Sequence, residues 1–565
     1  MTRWRGIPAL LVVVLATVLT ACTGLPTSGR INYGLGTEDA PDAEEVSFLL
    51  PDSPQPGATP EQIVEGFIRA GSGPGLGANW DRAREFLTED FARDWRPGAG
   101  VIVDVLDDRA YSEPEDDVVT MALSAVATVD DGGSYERTAF REQTLPFAMV
   151  QENGEWRISS APDGVVLDED VFPRVFHRYS VMYFDPSWHY LVPDARWFPT
   201  TNAASSVAQA LVDGPPSAWL ADSVATAFPE SVEVVAAVPV TGNVAEVDLN
   251  EAALSADPET LDRMYTQLQE SLRTANVADV ELTIDSVPID VEPVAVRSTR
   301  VPGAPLVQTE EGFGFLTGDA LDPIPGLSEL VEQFAPVAVQ VAPDPVAPDQ
   351  LLAASRLGTG EVLRLREDET YDQLDARAGL VDPSLDPFGI VWSVPRDQPA
   401  AVAAFLPDTT RIDVADAWSG ATSISAMAVS RDGTRVAAVV AAGGRNVLWV
   451  AGIVRGPEQV PIRLGDPVQL GVVSGSGRGL AWLDDLSVGV LSGDAEGSTV
   501  LEQVVGGTST TSSAAAGMVS IAGGTSLSSA RLRAEDGTLY VKRGTGWQPT
   551  ATGALLLATQ QGAPE

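Results

Sequence analysis

The sequence predicts a multidomain fold in which two α+β domains precede an all-β propeller. In each of the first two segments, helical apolar periodicity occurs together with runs of strand-forming residues, an arrangement typical of α+β domains. From about residue 300 onward, short β-runs alternate with Gly and Asp turns. They recur at intervals of roughly forty to fifty residues, which is the spacing of propeller blades.

A signal peptide is predicted over residues 1–21, directly before the only cysteine of the chain. Arginines precede an apolar run, 7–19, that is too short to cross a bilayer. The residues that resemble the lipobox of bacterial lipoproteins are Leu19, Thr20, Ala21 and Cys22. The resemblance implies cleavage before Cys22 and lipidation of its sulfur, with palmitate among the acyl chains. Two or more chains hold a protein stably on a membrane. An ordinary secretory signal followed by a chance cysteine is the alternative.

Composition and charge limit the location and the partners. After Cys22 no apolar segment reaches the roughly twenty residues of a membrane-spanning helix. We therefore expect a protein anchored by lipid to the outer face of the cell membrane. The chain has 79 acidic and 35 basic residues and a formal net charge of -44. This charge repels phosphate backbones, so nucleic acid is not an expected partner.

An acidic flexible tether is predicted over 22–58, where Gly, Pro, Ser and acidic residues dominate. The first folded segment, 59–168, begins at Thr59-Pro60-Glu61, a sequence typical of a helix start. A second helical stretch is predicted around Trp80 to Leu87, followed by strands. The order resembles the NTF2-like or cystatin-like cone domains of exported lipoproteins. Such cones can be enzymes that line a cavity with His and Asp, but no histidine occurs between Thr59 and Asp168, so we expect a binding or spacer role.

The second folded segment, 171–298, contains two strands, a helix, a hairpin, a second helix and a closing strand. The second helix is predicted to begin at Asp257-Pro258-Glu259, with apolar residues at spacings of three and four. The residues that together resemble the GerMN domain of spore-germination and cell-wall-associated proteins are Tyr183-Phe184, Leu191-Val192-Pro193, Ala210-Leu211 with Gly214-Pro215, Phe228-Pro229 and Val247-Asp248-Leu249. Taken singly, these residues are equally explained as turn and core positions.

Residues 300–565 form the predicted propeller, with room for five to seven blades and with Asp-Gly turns at Asp432 and Asp536. The small-residue tract 506–524 is predicted to be a flexible loop between strands. Lys542 is the only lysine, which we attribute to GC-rich codon usage and not to a site.

No catalytic residue, metal site or cofactor is predicted. His177 and His189 are the only histidines, too few for the usual zinc motifs, and are interpreted as structural. The adjacent acids Asp484 and Asp485 are candidates for the paired carboxylates of a glycosidase, but a solvated turn explains them better. Ligand-binding residues cannot be named from the sequence.

Lipobox, tether, cone, GerMN-like domain and propeller, in this order, resemble the LpqB lipoprotein family of actinobacteria. The resemblance implies an accessory protein of the Mtr two-component system (MtrAB) that contacts the extracellular part of the MtrB sensor histidine kinase and tunes cell-wall homeostasis and division. The alternative function is a peptidoglycan-binding or glycan-processing envelope factor, with peptidoglycan as the partner.

Overall fold

The computed structural model describes residues 51–75, 78–301, 303–493, 497–524 and 526–562. The predicted signal peptide, the lipobox and Cys22 lie outside the described residues, as does most of the predicted tether. The described residues belong to one compact unit. At the end of the predicted tether, the amide of Gly57 donates to Glu155 Oε2 over 2.8 Å, so this part of the chain lies against the first domain.

The first domain is a mixed six-stranded sheet with helix α1 (Pro60–Ala70) packed on it. Thr59 and Gln62 form a capping box, with hydrogen bonds of 3.3 and 3.0 Å, so the predicted helix start is confirmed. The other elements are α2 (Asp81–Arg84), α3 (Phe91–Asp94), β1 (Val101–Asp104), β2 (Ala110–Glu115), β3 (Val118–Val129), β4 (Tyr135–Glu152), β5 (Glu155–Ser160) and β6 (Val165–Asp168). The strand order is β5-β4-β3-β1-β6, with β2 paired to β3 and β6 parallel to β1.

Aromatic side chains fill the space between α1 and the sheet. The Phe67 ring lies 5.1 Å from that of Trp95 and 6.3 Å from that of Phe147. A cavity of about 20 Å³ remains beside them, which holds no more than about one water molecule. The α+β order of this domain agrees with the prediction, while the specific likeness to an NTF2-like cone stays a prediction.

The predicted second helix is wrong in its extent, because only the single turn α2 forms. Trp80 has a left-handed φ of 52° before this turn, so it is not part of the helix. At the other end, Leu87 forms a parallel bridge with Ile158. The helix ends early because the chain pairs with the sheet, and the spacing of apolar residues does not predict that pairing.

The second domain connects a two-stranded hairpin to a four-stranded sheet. Its elements are α4 (Phe172–Val175), β7 (Phe176–Phe184), β8 (Leu191–Pro199), α5 (Ala203–Val212), β9 (Val240–Thr241), β10 (Val244–Leu249), α6 (Pro258–Arg273), β11 (Asp279–Ile284) and β12 (Val287–Pro288). The sheet order is β12-β11-β10-β9, and β10 runs parallel to β11 across the α6 connection. Asp257 caps α6 by accepting from the Thr260 amide at 2.9 Å, which confirms the predicted start of this helix.

The third domain is built from short strands, with helix α7 (Leu327–Phe334) inserted near its start. In chain order its strands are β13 (Leu306–Thr309), β14 (Gly312–Thr317), β15 (Ala320–Asp322), β16 (Ala338–Pro343), β17 (Leu351–Arg356), β18 (Val362–Arg366), β19 (Tyr371–Asp375), β20 (Ser384–Leu385), β21 (Val391–Ser393), β22 (Ala403–Phe405), β23 (Arg411–Asp413), β24 (Ser423–Val429), β25 (Arg435–Ala442), β26 (Arg445–Arg455), β27 (Pro461–Leu464), β28 (Val468–Val472), β29 (Ser476–Trp482), β30 (Ser487–Gly493), β31 (Ser498–Val504), β32 (Ser509–Ala514), β33 (Met518–Ala522), β34 (Arg531–Ala534), β35 (Leu539–Arg543), β36 (Gly546–Ala551), β37 (Leu556–Leu557) and β38 (Thr559–Gln560).

Within the described part of the third domain these strands make six sheets, which are the blades of a propeller. The sheets are β37-β13-β14-β15, β38-β16-β17-β18-β19, β20 to β23, β24 to β28, β29 to β32 and β33 to β36. Strands β37, β16, β20, β24, β29 and β33 contact one another in this order, and β33 contacts β37 again. The ring is therefore closed, and it is closed by strands from the C-terminal end of the chain.

A recurrent aspartate turn joins neighbouring strands within the blades. In each case the carboxylate accepts from the backbone amide two residues further on, as in an Asx turn. The pairs are Asp368 and Thr370, Asp408 and Thr410, Asp432 and Thr434, and Asp536 and Thr538, at 2.8 to 3.0 Å. Gly433 and Gly537 have φ values of 75° and 82°, which confirms the two predicted Asp-Gly turns.

The prediction of a flexible loop over 506–524 is wrong. This tract contributes β32, the outer strand of the fifth sheet, and β33, the inner strand of the sixth. Its Ser, Thr and Ala residues have little apolar surface of their own, but β31 and β34 supply the hydrogen-bonding partners. Pairing with neighbouring strands thus overrides a composition typical of loops.

Candidate binding cleft

Buried polar contacts join the first two domains. Arg196 of β8 forms an ion pair with Asp194 at 2.8 Å, and the two side chains are 4% and 3% exposed. The same guanidinium donates to the Gly132 carbonyl of the first domain over 2.9 Å. Ser217 donates its hydroxyl to Asp194 over 2.7 Å. The ion pair holds the guanidinium in place, and the bond to the Gly132 carbonyl is the contact that crosses the junction.

The propeller contacts both preceding domains. The indole of Trp197 donates to the Gly506 carbonyl over 2.9 Å, and Arg137 of β4 donates to Ser509 Oγ over 2.9 Å. Arg463 of β27 forms a 2.6 Å ion pair with Asp222 of the second domain. These contacts involve strands or turns of three domains, so the domains form a single body.

A cleft of about 300 Å³ lies where the three domains meet. The first domain contributes Tyr135 to Arg137 and the second contributes Trp219. The propeller contributes Val450 of β26, part of β28 and the segment 503–507. The volume lies at the lower end of the range for small-molecule sites, and a junction between domains is a preferred place for them.

Aromatic packing positions the wall that the first domain supplies. The ring of Tyr135 lies 5.9 Å from those of Phe172 and Trp197, which are 5.0 Å from each other. Burial raises the pKa of the Tyr135 hydroxyl, so this residue stays neutral near pH 7. The wall is therefore an uncharged aromatic surface at this point.

Gln503 is the most unusual residue of the cleft. Its side chain is 1% exposed, and its amide nitrogen donates to the carbonyls of Val504, Gly507 and Thr508 at 2.7, 2.9 and 3.4 Å. Because all three partners are carbonyl acceptors, the amide nitrogen and not the amide oxygen must face them, which fixes the orientation of the side-chain amide. Among the described residues, Gln503 Oε1 has no hydrogen-bond partner.

The lining chemistry suits binding better than acid-base catalysis. The lining combines apolar side chains, two amides, two serines and three charged side chains, and no histidine, cysteine or lysine lines the cleft in the described parts of the chain. Arg137 is engaged by Ser509, and the Ser217 hydroxyl donates to Asp194, whose carboxylate is paired with Arg196. The lining therefore offers hydrogen-bonding groups and an aromatic surface.

The two histidines lie away from this cleft. His189 Nδ1 contacts Ser187 Oγ at 2.9 Å, and the Ser187 hydroxyl donates to Asp185. Asp185 also accepts the backbone amides of His189 and Tyr190 at 2.8 and 2.6 Å. In a catalytic triad the carboxylate orients the histidine and not the serine, so this cluster stabilises the β7-β8 turn. His177 is half-buried, and burial lowers its pKa.

The two adjacent acids are also parts of local structure. Asp484 accepts hydrogen bonds from the backbone amides of Leu486 and Ser487 at 2.8 and 2.6 Å. This agrees with the interpretation of the two acids as part of a turn. Asp485 accepts from the Thr299 hydroxyl at 2.9 Å, so it links the segment before the propeller to the fifth sheet. Neither acid lines the cleft.

Lys542 is buried between the fifth and sixth sheets. Its ammonium contacts the Glu502 carboxylate and lies 3.2 Å from Ser512 Oγ. The Trp547 ring centroid is 5.4 Å away. The sequence analysis attributes this lysine to codon usage, but in the structure it holds two blades together.

Sequence reasoning missed every residue of the cleft. Gln503 lies at the end of a strand, and Trp219 follows the Gly-Pro turn of a different domain. No spacing links residues that come together only when three domains dock. The Gly506-Gly507 pair was the one available signal, because it allows the chain to turn closely beside Trp197.

Over the described ranges, no three side chains of His, Cys, Asp or Glu are grouped so as to hold a metal ion. Over the same ranges, no helix combines the length and the apolar content that crossing a membrane requires.

Three family models match the chain, one per domain. They are the LpqB lipoprotein N-terminal domain over residues 53–173, the sporulation and spore germination domain (Germane) over 180–290 and the LpqB lipoprotein beta-propeller domain over 306–555. The GerMN-like and propeller assignments made from the sequence agree with these matches.

Curated relatives named lipoprotein LpqB are similar to this chain. The protein of Thermobifida fusca (strain YX) is 31% identical over 276 residues, which are 46% of this chain and 43% of the relative. The protein of Rhodococcus opacus (strain B4) is 27% identical over 525 residues, covering 82% of this chain and 83% of the relative. The chain thus matches less than half the length of the first relative and most of the second.

Solved structures show weaker likeness. TolB from Acinetobacter baumannii is 13% identical, with a TM-score of 0.33, and the match covers 45% of this chain and 65% of TolB. The tandem GerMN domains of GerM from Bacillus subtilis are 13% identical, with a TM-score of 0.19, over 36% of this chain and 63% of GerM. The assignment therefore depends on the family models and the curated relatives, and by these the chain belongs to the LpqB lipoprotein family.

Proposed function

We propose that this chain is a lipid-anchored accessory protein on the outer face of the cell membrane, where it binds the extracellular part of the MtrB sensor histidine kinase. In this role it modulates the MtrAB two-component system in cell-wall homeostasis and division. The signal peptide and the lipidation of Cys22 are part of the proposal. The membership of the LpqB lipoprotein family supports it.

The observation that carries the proposal is the union of three domains in one body around a shared cleft. Such a body presents fixed surfaces to a partner, and a lipid anchor confines it to the membrane where a sensor domain lies. The predicted tether, 22–58, has an r.m.s. reach of roughly 30 to 36 Å if it behaves as a flexible coil. At this reach a weak contact is sufficient, because effective concentrations approach the millimolar range.

The proposed function is not enzymatic. In the described parts of the chain no histidine lines the cleft. The Ser217 hydroxyl of the lining donates to Asp194, whose carboxylate is paired with Arg196, and His189 stabilises a turn. We expect the purified full chain to hydrolyse neither peptidoglycan nor simple esters. Robust turnover that one carboxylate substitution abolishes would overturn this part of the proposal.

Crosslinking in intact membranes tests the partner. Amine-reactive reagents are unsuitable, because the only lysine is buried at 8% exposure. A photo-reactive amino acid is placed instead at one exposed apolar position in each domain: Leu106, Leu254 or Val346, which are 55%, 67% and 83% exposed. We expect at least one of the three positions to capture the sensor kinase, and the position that does so identifies the contacting domain.

The matched control carries the same photo-reactive residue together with Cys22→Ala. Capture of the kinase should fall when the anchor is removed at equal protein abundance, and full kinase output from the secreted form would contradict the proposal. If all three positions capture wall enzymes and no sensor kinase, the signalling role is wrong and the peptidoglycan-associated alternative replaces it.

A further inference from the structure

Three arginines form a row on one face of the sixth sheet. Arg531 and Arg533 lie two residues apart on β34, and Arg543 is the last residue of β35. The register of the two strands places Val541 opposite Arg531, so Arg543 lies diagonally next to Arg531 on the same face. Neighbours in such a row are roughly 7 Å apart. We refer to these three residues as the arginine row.

The arginine row faces the first sheet of the propeller. Leu532, which points to the opposite face of β34, belongs to an apolar cluster with the fifth sheet. Leu539, on the same face as the row, belongs to a cluster with Val307 of the first sheet. Arg531 Nη2 donates to the carbonyl of Gly303, just before the first sheet, over 2.8 Å. The row therefore lies along the groove between the sixth and the first sheets.

No acidic side chain neutralises the row. Over the described ranges, none of the three guanidinium groups forms an ion pair, and their hydrogen bonds all go to backbone carbonyls. The acceptors are Ser529 at 3.0 Å and Gly303 at 2.8 Å for Arg531, Ala534 at 3.4 Å for Arg533 and Lys542 at 3.5 Å for Arg543. A guanidinium has five N–H donors, so most donors of each group remain available to a ligand.

The row is open to solvent, so a ligand can reach it. Arg543 is exposed, and Arg531 and Arg533 are half-buried. The Nε atom of Arg533 is enclosed without a partner, but its Nη2 is neither enclosed nor hydrogen-bonded within the part of the chain that the structure describes. Burial, followed by the charge of Arg543, lowers the pKa of Arg531. An anion bound between the two groups offsets this repulsion.

We propose that the arginine row binds a phosphate group, carried as a compact ester by an otherwise uncharged ligand. Guanidinium groups bind oxyanions through paired N–H donors. Three of them around one ligand suit the three free oxygens of a phosphate monoester better than the two coplanar oxygens of a carboxylate. The formal net charge of -44 repels long polyanions, which favours a ligand with one charged group. The inference goes beyond the kinase contact and does not depend on it.

Arg533→Gln and Arg543→Gln test the row, because the described hydrogen bonds of both residues go only to adjacent carbonyls. Arg531 is left unchanged, since it also holds the segment before the first sheet. The matched control is Arg445→Gln, which removes an exposed arginine at the start of β26 in the fourth sheet. Arg543→Lys keeps the charge but loses the guanidinium fork. Thermal unfolding verifies that every variant is folded.

Binding of α-glycerophosphate to the full chain in neutral detergent is measured by titration calorimetry at low ionic strength, with succinate as the carboxylate probe. We expect binding by the wild type and by Arg445→Gln, and roughly tenfold weaker binding by Arg533→Gln and by Arg543→Gln. Arg543→Lys should fall between the wild type and Arg543→Gln. Succinate should bind more weakly than α-glycerophosphate.

A second titration separates a soluble ligand from a lipid. Dihexanoyl phosphatidylglycerol is added in the same way, with dihexanoyl phosphatidylcholine as the control lipid. Tighter binding of phosphatidylglycerol than of α-glycerophosphate, lost in the row variants, identifies a lipid headgroup as the ligand. Weaker or equal binding identifies a soluble phosphate ester, and either result supports the phosphate site.

Three outcomes would overturn the inference. These are no binding of either phosphate ester at millimolar concentration, binding by the two row variants as tight as by Arg445→Gln, and tighter binding of succinate than of α-glycerophosphate. None of them affects the crosslinking result, so failure of this inference is distinguishable from failure of the kinase proposal.

Discussion

Removing the Lys542 ammonium should destabilise the propeller strongly. The Lys542 and Glu502 side chains are 10% and 7% exposed, so Lys542→Met leaves a carboxylate buried without a cation. Breaking a buried ion pair in this way costs about 3–5 kcal/mol. For a domain of this size each kcal/mol lowers the unfolding midpoint by about 2–4 °C, which gives a decrease of roughly 6 to 20 °C.

The measurement is thermal and denaturant unfolding followed by tryptophan fluorescence, to which Trp547 contributes from 5.4 Å away. The matched control is Arg411→Met, which breaks the 2.6 Å pair with Asp413 at a site where the side chains are 44% and 77% exposed. An exposed pair contributes about 0–1 kcal/mol. The double variant Lys542→Met, Glu502→Leu should recover most of the lost stability, because it removes both charges.

The reasoning fails if Lys542→Met is no more destabilising than Arg411→Met. It also fails if the double variant is less stable than Lys542→Met, because the stability would then come from packing of the two side chains and not from pairing of their charges.

Three other predictions follow from the anchor and the fold. Cys22→Ala should leave the precursor without acyl label in a metabolic labelling experiment, and unchanged label would refute lipidation at this residue. Deleting residues 556–565 removes β37 and β38, so the first two sheets lose inner strands, and limited proteolysis should cut the truncated propeller much faster than the intact one. Burial alone would raise the pKa of Asp432, but Arg435 and the Thr434 hydrogen bonds hold it below the usual value. Because the folded pKa is the lower one, the stability from Asp432 is fully present above about pH 4 and is lost as the pH falls through the folded pKa. Denaturant unfolding at pH 7, 5 and 3 should show this loss below pH 4, and an equal loss in Asp432→Asn would contradict it.

Local signals in the sequence predicted those elements whose contacts are local. The caps at Thr59 and Asp257 and the turns at Asp432 and Asp536 depend on hydrogen bonds within a few residues. The six-sheet count lies within the predicted range of five to seven, because blade spacing is a property of the chain itself.

Prediction failed where distant partners decide the structure. The tract 506–524 becomes two strands because β31 and β34 pair with it, and the helix after Trp80 ends at Arg84, three residues before Leu87 pairs with Ile158. The cleft has the same origin on a larger scale. Gln503 and Trp219 are separated by more than half of the chain, and no pattern within either segment indicates that they face one cavity.

The cleft gives the three-domain body a means to couple ligand and partner. Its walls come from all three domains, and the contacts between domains include the bond from Arg196 to the Gly132 carbonyl and the bond from Trp197 to the propeller. A ligand that touches all three walls binds the docked arrangement and not a separated one. By linkage it then stabilises docking by an amount that grows with the logarithm of the ligand concentration relative to its Kd. Under the proposed function, a ligand in the cleft would thereby change the population of the body that faces the kinase, without any chemical reaction.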